Sequence, residues 1–323
     1  MKKIYIIGAG QLGSRHLQAL KNVKTPLEIT VIDPSEASLK TAKERYEGFN
    51  GIANHPIKYS LTILKEDSEM EIVIVATNSN FRRAAVEQML KMNKAKYFIL
   101  EKYLFDKKAD YLIVGELLKK SGSTAWVNCS MRKMPFYNKI KEYFNGKAIH
   151  YTVTGSQYGL VTNLVHFIDH ISYLTGSSEY EADAKYLDPE PIPSKRKGFL
   201  EFNGIFQAHF KNGSHGVFRC YPTGELPIQV EIFSEDTRLI SREWEGKVWV
   251  SRRANKWVWE EIEAKIPYQS QMTTELVEEL IEKGTCPLAP YEESAKLHLL
   301  ILDSLLMHLN KYSEKKYDYY PFT

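Results

Sequence analysis

The chain has 323 residues, with 43 Lys+Arg against 40 Asp+Glu for a formal net charge of +3, 43% hydrophobic residues and 26% charged ones. This average composition excludes a disordered chain, a collagen-like one, and a strongly basic nucleic-acid binder that works by counterion release. A chain this long buries roughly 75% of its unfolded surface and usually divides into two domains.

The first third alternates strand and helix. Short apolar or β-branched runs at 3–7, 28–32, 71–76, 97–100 and 124–128 predict strands, with a short one near Tyr59. Helical patterns at 12–21, 36–46, 82–92 and 107–119 lie between most of them. Such alternation predicts a parallel sheet wrapped by helices, and Ile72-Val73-Ile74-Val75 suits a strand buried on both faces. After a helix near 136–144 the rhythm changes. A strand at 147–156 and a mostly apolar helix at 160–174 lead into successive short strands from 186 to about 262. Asn212-Gly213 is a hairpin signal, and 244–251 with 256–262 reads as a second hairpin. Helices near 271–283 and 291–311 close the sequence. The fold class expected is α/β: a doubly wound parallel sheet over residues 1–125, then an α+β domain with a large, mostly antiparallel open sheet over 126–323. The last helix is a candidate to pack back on the first domain.

The N-terminus begins Met1-Lys2-Lys3, but the apolar run 4–7 is too short for a signal-peptide core and meets Gly8-Ala9-Gly10 at once. No run approaches 18 apolar residues, so a cytoplasmic protein is expected, with no membrane and no nucleic acid as partner. Cys129, Cys220 and Cys286 are odd in number and form no CxxC, which reads as reduced thiols.

The chemistry concentrates at Gly8-Ala9-Gly10-Gln11-Leu12-Gly13, a GxGxxG turn between a strand and a helix. The first glycine permits the tight turn, the second admits a pyrophosphate to the backbone, and the third lets helix and strand pack closely. The helix N-terminus then offers free N–H groups and a positive dipole end to phosphate. The second strand ends in Asp33, 20 residues past Gly13, where an acid binds ribose hydroxyls and repels a 2′-phosphate. NAD is therefore expected, in preference to NADP. A metal is not expected: His166 and His170 form HxxxH with Phe167 where a zinc protease carries glutamate. A two-residue turn at Asn212-Gly213 would send His209 and His215 to opposite faces.

Three further segments carry a resemblance: Ala76-Thr77-Asn78-Ser79 after the fourth strand, Glu101-Lys102-Tyr103 after the fifth, and Tyr158-Gly159 leading a helix with Thr162, Asn163, His166 and Asp169. With the glycine turn, the chain resembles the glucose–fructose oxidoreductase / inositol dehydrogenase / rhizopine catabolism (Gfo/Idh/MocA) family over nearly its whole length. The resemblance implies NAD(P)-dependent hydride transfer at a carbinol carbon of a sugar or cyclitol, and a homodimer or homotetramer built on the C-terminal sheet. It implies a cofactor site of Gly8, Gly10, Gln11, Leu12, Gly13, Asp33, Thr77, Asn78, Glu101 and Lys102. Lys102 matches the lysine of the family's Glu-Lys-Pro motif, with Tyr103 in place of proline. His166 matches the histidine of its Asp-x-Gly-x-His motif. Lys102 and His166 are the expected catalytic pair: a histidine exchanges the hydroxyl proton and a lysine stabilises alkoxide charge.

Thr162, Asn163, Asp169, Tyr158 and Arg132 are the expected substrate contacts, Arg132 as a holder of carboxylate or phosphate. The family aspartate four residues before the histidine falls on Thr162, its glycine falls on Leu164, and Arg82 stands where many members have histidine. The opening run through Ser14-Arg15-His16 also resembles members found with bacterial surface-polysaccharide genes, pointing to an amino sugar or sugar nucleotide as substrate. Two classes follow: an NAD-dependent sugar oxidoreductase, or a catalytically inactive relative acting as an NAD(H)-binding regulator or sensor, which the change at Thr162 keeps open.

Overall fold

The computed structural model describes residues 1–323, apart from the side chains of residues 269 and 270. The chain divides into two compact units, Met1–Asn128 with Pro267–Glu292 and Cys129–Ile266 with Glu293–Thr323.

The first unit is built on β1 (Lys2–Ile7), α1 (Gln11–Leu20), β2 (Leu27–Ile32), α2 (Glu36–Glu47), β3 (Ile57–Ser60), β4 (Met70–Val75), α3 (Ser79–Met92), β5 (Ala95–Leu100), α4 (Lys108–Ser121) and β6 (Thr124–Val127). These strands form one sheet in the order β6-β5-β4-β1-β2-β3, every pair parallel. All six residues of β4 are buried, as a strand covered by helices on both faces requires. The order reverses between β1 and β4, and the crevice at the carboxyl ends of those strands is where such sheets take ligands.

In the second unit a 3₁₀ turn (Ser130–Lys133) and α5 (Pro135–Phe144) precede β7 (His150–Ser156) and α6 (Leu160–Thr175). Strand β8 (Tyr180–Leu187), a two-residue ribbon of β9 (Ile192–Pro193) with β10 (Leu200–Glu201), β11 (Gly204–Phe210), β12 (His215–Tyr221), β13 (Gln229–Phe233), β14 (Thr237–Arg242), β15 (Lys247–Arg252) and β16 (Trp259–Glu263) follow. The large sheet runs β16-β15-β14-β13-β7-β12-β11-β8, antiparallel except for the pair β7 and β12. Helix α6 lies on it through aromatic packing, with Phe167 stacked on Phe218 at a centroid distance of 5.9 Å. The α/β class with a parallel sheet followed by a largely antiparallel one is thus as the sequence pattern implies.

The hairpin at Asn212-Gly213 differs from its expected register. Phe210 N–H donates to the Ser214 carbonyl, so the turn has three residues, 211–213, and His209 pairs directly with His215. The two imidazoles therefore share a face and stack, with centroids 4.3 Å apart. His150 is the neighbour of His215 on β7. Even so, no group of three potential ligands suited to a metal ion occurs among the described residues. Likewise no helix among them is long and apolar enough to cross a membrane.

The return of the chain to the first unit brings α7 (Gln269–Lys283) and β17 (Ala289–Pro290), which pairs antiparallel with β6, before α8 (Tyr291–Tyr312) ends the helices. Leu276, Val277 and Leu280 of α7 join Leu17, Leu20 and Val23 in one core cluster. The Thr274 hydroxyl donates to the Ala19 carbonyl at 2.8 Å. Because Leu276 is 1% exposed, Leu276→Ala should destabilise the first unit by about 2–5 kcal/mol, as a buried leucine truncation does. Denaturant unfolding of the variant, monitored by hydrogen exchange over α1, checks this.

Candidate functional site

The cofactor half of the site starts at the glycine turn. Gly8 adopts φ +97°, open to glycine at little cost. A Cβ on Gly13 would lie 1.7 Å from the Gly8 carbonyl oxygen, so the close crossing of α1 over β1 exists only with hydrogen at that position. A Cβ on Gly10, in contrast, would meet nothing within 4 Å. The backbone there is open to the cleft, as a cradle for pyrophosphate must be. Gly10 is also the N-cap of α1 and supplies no side-chain hydrogen bond, leaving first-turn N–H groups for a phosphate.

Gly8, Gly10, Asp33, Thr77, Asn78 and Phe81 line a cleft of about 490 Å³ in the first unit. Asp33 stands at the end of β2. Its Oδ2 accepts from Ala9 N–H at 2.7 Å and its Oδ1 from Ser35 N–H at 2.9 Å. It therefore shapes the glycine loop while keeping acceptor capacity for ribose hydroxyls. Arg45, from α2, donates to Ser14 Oγ at 2.6 Å and to Gln11 Oε1 at 2.8 Å, adding a cation beside the first turn of α1. Gln11 is exposed and Leu12 half-buried, flanking the turn. These residues fit a dinucleotide.

Sequence reasoning missed the pair beneath the loop. His16, fully buried on α1, donates from Nε2 to Glu101 Oε1 at 2.9 Å, and its Nδ1 bonds Thr273 Oγ1 at 2.9 Å. Asn128 Nδ2 donates to the same Glu101 oxygen at 2.7 Å. Burial pushes the Glu101 carboxyl up, but the bond and charge of His16, the Asn128 amide and the Arg82 charge outweigh this and hold it below the usual range. Glu101 is thus an anchor beneath the cofactor loop, and it fixes the strand end from which the half-buried Lys102 follows. Arg82 braces the adjoining loops: it is 1% exposed and donates to the carbonyls of Thr77, Tyr103 and Leu104. The sequence pattern starts this helix at Arg82; the structure starts α3 at Ser79, making Arg82 its fourth residue, and its carbonyl partners were not visible in the sequence.

In the second unit the site residues gather on α6. Thr162, Asn163 and His166 are half-buried on a helix that is otherwise almost wholly buried. Asn163 Nδ2 donates to the carbonyls of Tyr158 at 2.7 Å and Gly159 at 3.0 Å, so its amide secures the turn into the helix. The Tyr158 hydroxyl is buried with no hydrogen-bond partner among the described residues.

Arg132 and Asp169 meet each other. Arg132 Nε and Nη2 donate to the two Asp169 oxygens, both at 2.8 Å, and Nη2 also bonds Glu293 Oε1 at 2.5 Å. With Asp169 1% exposed, the pair ties α6 to the 3₁₀ turn and to Glu293. Arg132 spends its guanidinium fork on carboxylates of its own chain. Burial pushes the Asp169 carboxyl up to about 6 despite the guanidinium beside it. Burial also lowers the neighbouring His170 to about 3, which leaves that imidazole neutral, bonded through Nδ1 to the Tyr151 hydroxyl at 3.0 Å.

The two outer glycines separate loop packing from ligand contact. Gly13→Ala should collapse the thermal stability of the first unit, because its methyl meets backbone. Gly10→Ala should melt within about 2 °C of the parent yet bind NADH roughly tenfold or more weakly, a loss of about 1.4 kcal/mol. Melting curves and a fluorescence titration with NADH read both effects.

Comparison with known proteins agrees with this cofactor geometry. Residues 2–129 match the model of the GFO_IDH_MocA oxidoreductase family, NAD-binding Rossmann fold. No curated protein matches the chain. Among solved structures, an oxidoreductase from Agrobacterium radiobacter in complex with NAD+, L-tartaric acid and magnesium is 14% identical, with 96% of this chain and 97% of that one covered and a TM-score of 0.73. The UDP-N-acetylglucosamine 3-dehydrogenase GnnA from Acidithiobacillus ferrooxidans is 11% identical, covering 94% and 96% with a TM-score of 0.67. A super-repressor mutant of Gal80p from Saccharomyces cerevisiae is 14% identical, covering 97% and 99% with a TM-score of 0.68. At these identities the likeness is one of fold. With the glycine turn, the cleft and the family match in agreement, residues 2–129 form an NAD-binding Rossmann domain of the Gfo/Idh/MocA oxidoreductase type.

Proposed function

We propose that this protein is an NAD-dependent oxidoreductase that moves a hydride to or from a carbinol carbon of a sugar, amino sugar or nucleotide sugar. The observation that carries the reading is the cleft at the glycine turn, where Gly8, Gly10, Asp33, Thr77 and Asn78 fit a dinucleotide; in the second unit Thr162, Asn163 and His166 are half-buried near the start of α6. The sugar assignment draws support from the name of one fold relative, the UDP-N-acetylglucosamine 3-dehydrogenase.

NAD, when bound, supplies the hydride acceptor. Gly8, Gly10, Gln11, Leu12 and Gly13 would hold its pyrophosphate, Asp33 its ribose, and Thr77 and Asn78 the far side of the cleft, with Glu101 acting through His16. Lys102 would stabilise negative charge on the reacting oxygen, and His166 would exchange the hydroxyl proton. Thr162, Asn163 and Tyr158 would contact substrate hydroxyls. In this reading Arg132 and Asp169 act by holding α6 in place. Substrate and oligomer assembly through the large sheet belong to the proposal as well. The regulator reading has support of its own in Thr162, which stands at the family aspartate, and in the Gal80p fold relative.

Purified protein incubated with NAD and a panel of sugars and nucleotide sugars should show reduced cofactor by absorbance. Lys102→Ala and His166→Ala should each lower kcat by roughly 10²-fold or more. Tight NAD binding with no turnover across the panel favours the regulator instead. For cofactor choice, Asp33→Ala should weaken NAD and narrow its advantage over NADP in calorimetric titrations. NADP bound as tightly as NAD by the parent would contradict the role given to Asp33.

A further inference from the structure

The first turn of α6 is closed by an unexpected carboxylate. Gly159, the N-cap, sits at φ 76° and has no side chain with which to cap the helix. Glu201, on β10, does so instead. Its Oε1 accepts from Val161 N–H at 2.5 Å and from its neighbour Phe202 N–H at 3.1 Å, and its Oε2 accepts from Thr162 N–H at 3.1 Å. The Thr162 hydroxyl bonds to it too. Glu201 is 5% exposed, so these bonds replace its water.

Thr162 is the third residue of α6. An aspartate there would accept from the same first-turn N–H groups and would suit the positive helix end. Two carboxylates cannot both be ionised at one buried spot. A chain with Glu201 already in place therefore excludes the motif aspartate, and threonine, which donates to Glu201, fits. We propose that Glu201 is a positioning residue that supplies from β10 the carboxylate the family motif carries at position 162, orienting the helix end that presents Thr162, Asn163 and His166. The proposal rests on reading α6 as the substrate helix. On it, Thr162 marks a relocated carboxylate.

The electrostatics agree. Burial raises the Glu201 carboxyl, partly offset by the Thr162, Val161 and Phe202 N–H groups and the Thr162 hydroxyl. The titratable groups that feel its charge are Tyr158 and Cys220, both pushed up by burial and neutral at physiological pH. A second carboxylate would meet a site already strained by one.

Thermal melts of Thr162→Asp, Glu201→Gln and the double variant test this. At about pH 7.5, Thr162→Asp should lower Tm by roughly 4 °C or more with Glu201 present, and should raise Tm when added to Glu201→Gln. Hydrogen exchange of the first turn of α6 should accelerate in Glu201→Gln and return toward the parent in the double variant. Equal, additive shifts in both backgrounds would overturn the proposal. If Glu201→Gln fails to fold, a pH series on Thr162→Asp decides. Its penalty should shrink as pH falls through the carboxyl range, because protonating one partner removes the repulsion. A penalty independent of pH would overturn the proposal. These readouts use no substrate, so silence on the sugar panel leaves the coupling standing, and absent coupling leaves the oxidoreductase reading standing.

Discussion

A helix can approach the strand before it only as closely as the side chains between them allow, and at Gly13 there is room for none. A methyl there would sit 1.7 Å from the Gly8 carbonyl oxygen. That contact sets the depth of α1 over β1, and three consequences follow. The first turn of α1 points into the cleft with its N–H groups unspent. Asp33 reaches across to hold Ala9. His16, one turn further along the same helix, reaches Glu101 at the end of β5. The cofactor turn and the strand end carrying Lys102 are thereby coupled by a buried, hydrogen-bonded pair. A surface pair would tolerate drift; a buried one leaves an uncompensated charge when broken.

The second unit meets a different problem with similar means. Helix α6 is almost wholly buried yet carries the candidate chemistry, so its orientation about its own axis matters. Glu201 takes its first turn and Arg132 takes Asp169 further along, and both partners are buried. The stripe of Thr162, Asn163 and His166 lies at the start of the helix, between these two attachments or beside them. A near-neutral chain has no strong field with which to gather an anionic substrate. Arg132 is committed internally to Asp169 and Glu293.

Local signals in the sequence reached a long way. The uninterrupted apolar run of β4, the glycine turn with its following helix, and Asp33 at the end of β2 each state their role within a few residues. What escaped was everything that depends on distant partners. His16 reads as one more residue of an amphipathic helix until Glu101, 85 positions away, is seen beside it. Glu201 lies in a two-residue strand with no periodicity, and its link to α6 spans about 40 residues. The periodicity of α7 marks a helix but not the core it enters. At Asn212-Gly213 the turn residues were right and the turn length was wrong: a three-residue turn, 211–213, shifted the register and brought His209 and His215 to one face. Register depends on backbone hydrogen bonds that composition does not encode.

The central claim is that hydride moves between a nicotinamide and a sugar carbon on this protein. Incubating it with NADH deuterated at nicotinamide C4, together with a mixture of oxidised sugars and sugar nucleotides, tests this directly by mass spectrometry. The account predicts deuterium bonded to a carbinol carbon of one sugar-class product. Deuterium retained entirely on NADH, with the cofactor shown to be bound, would contradict it.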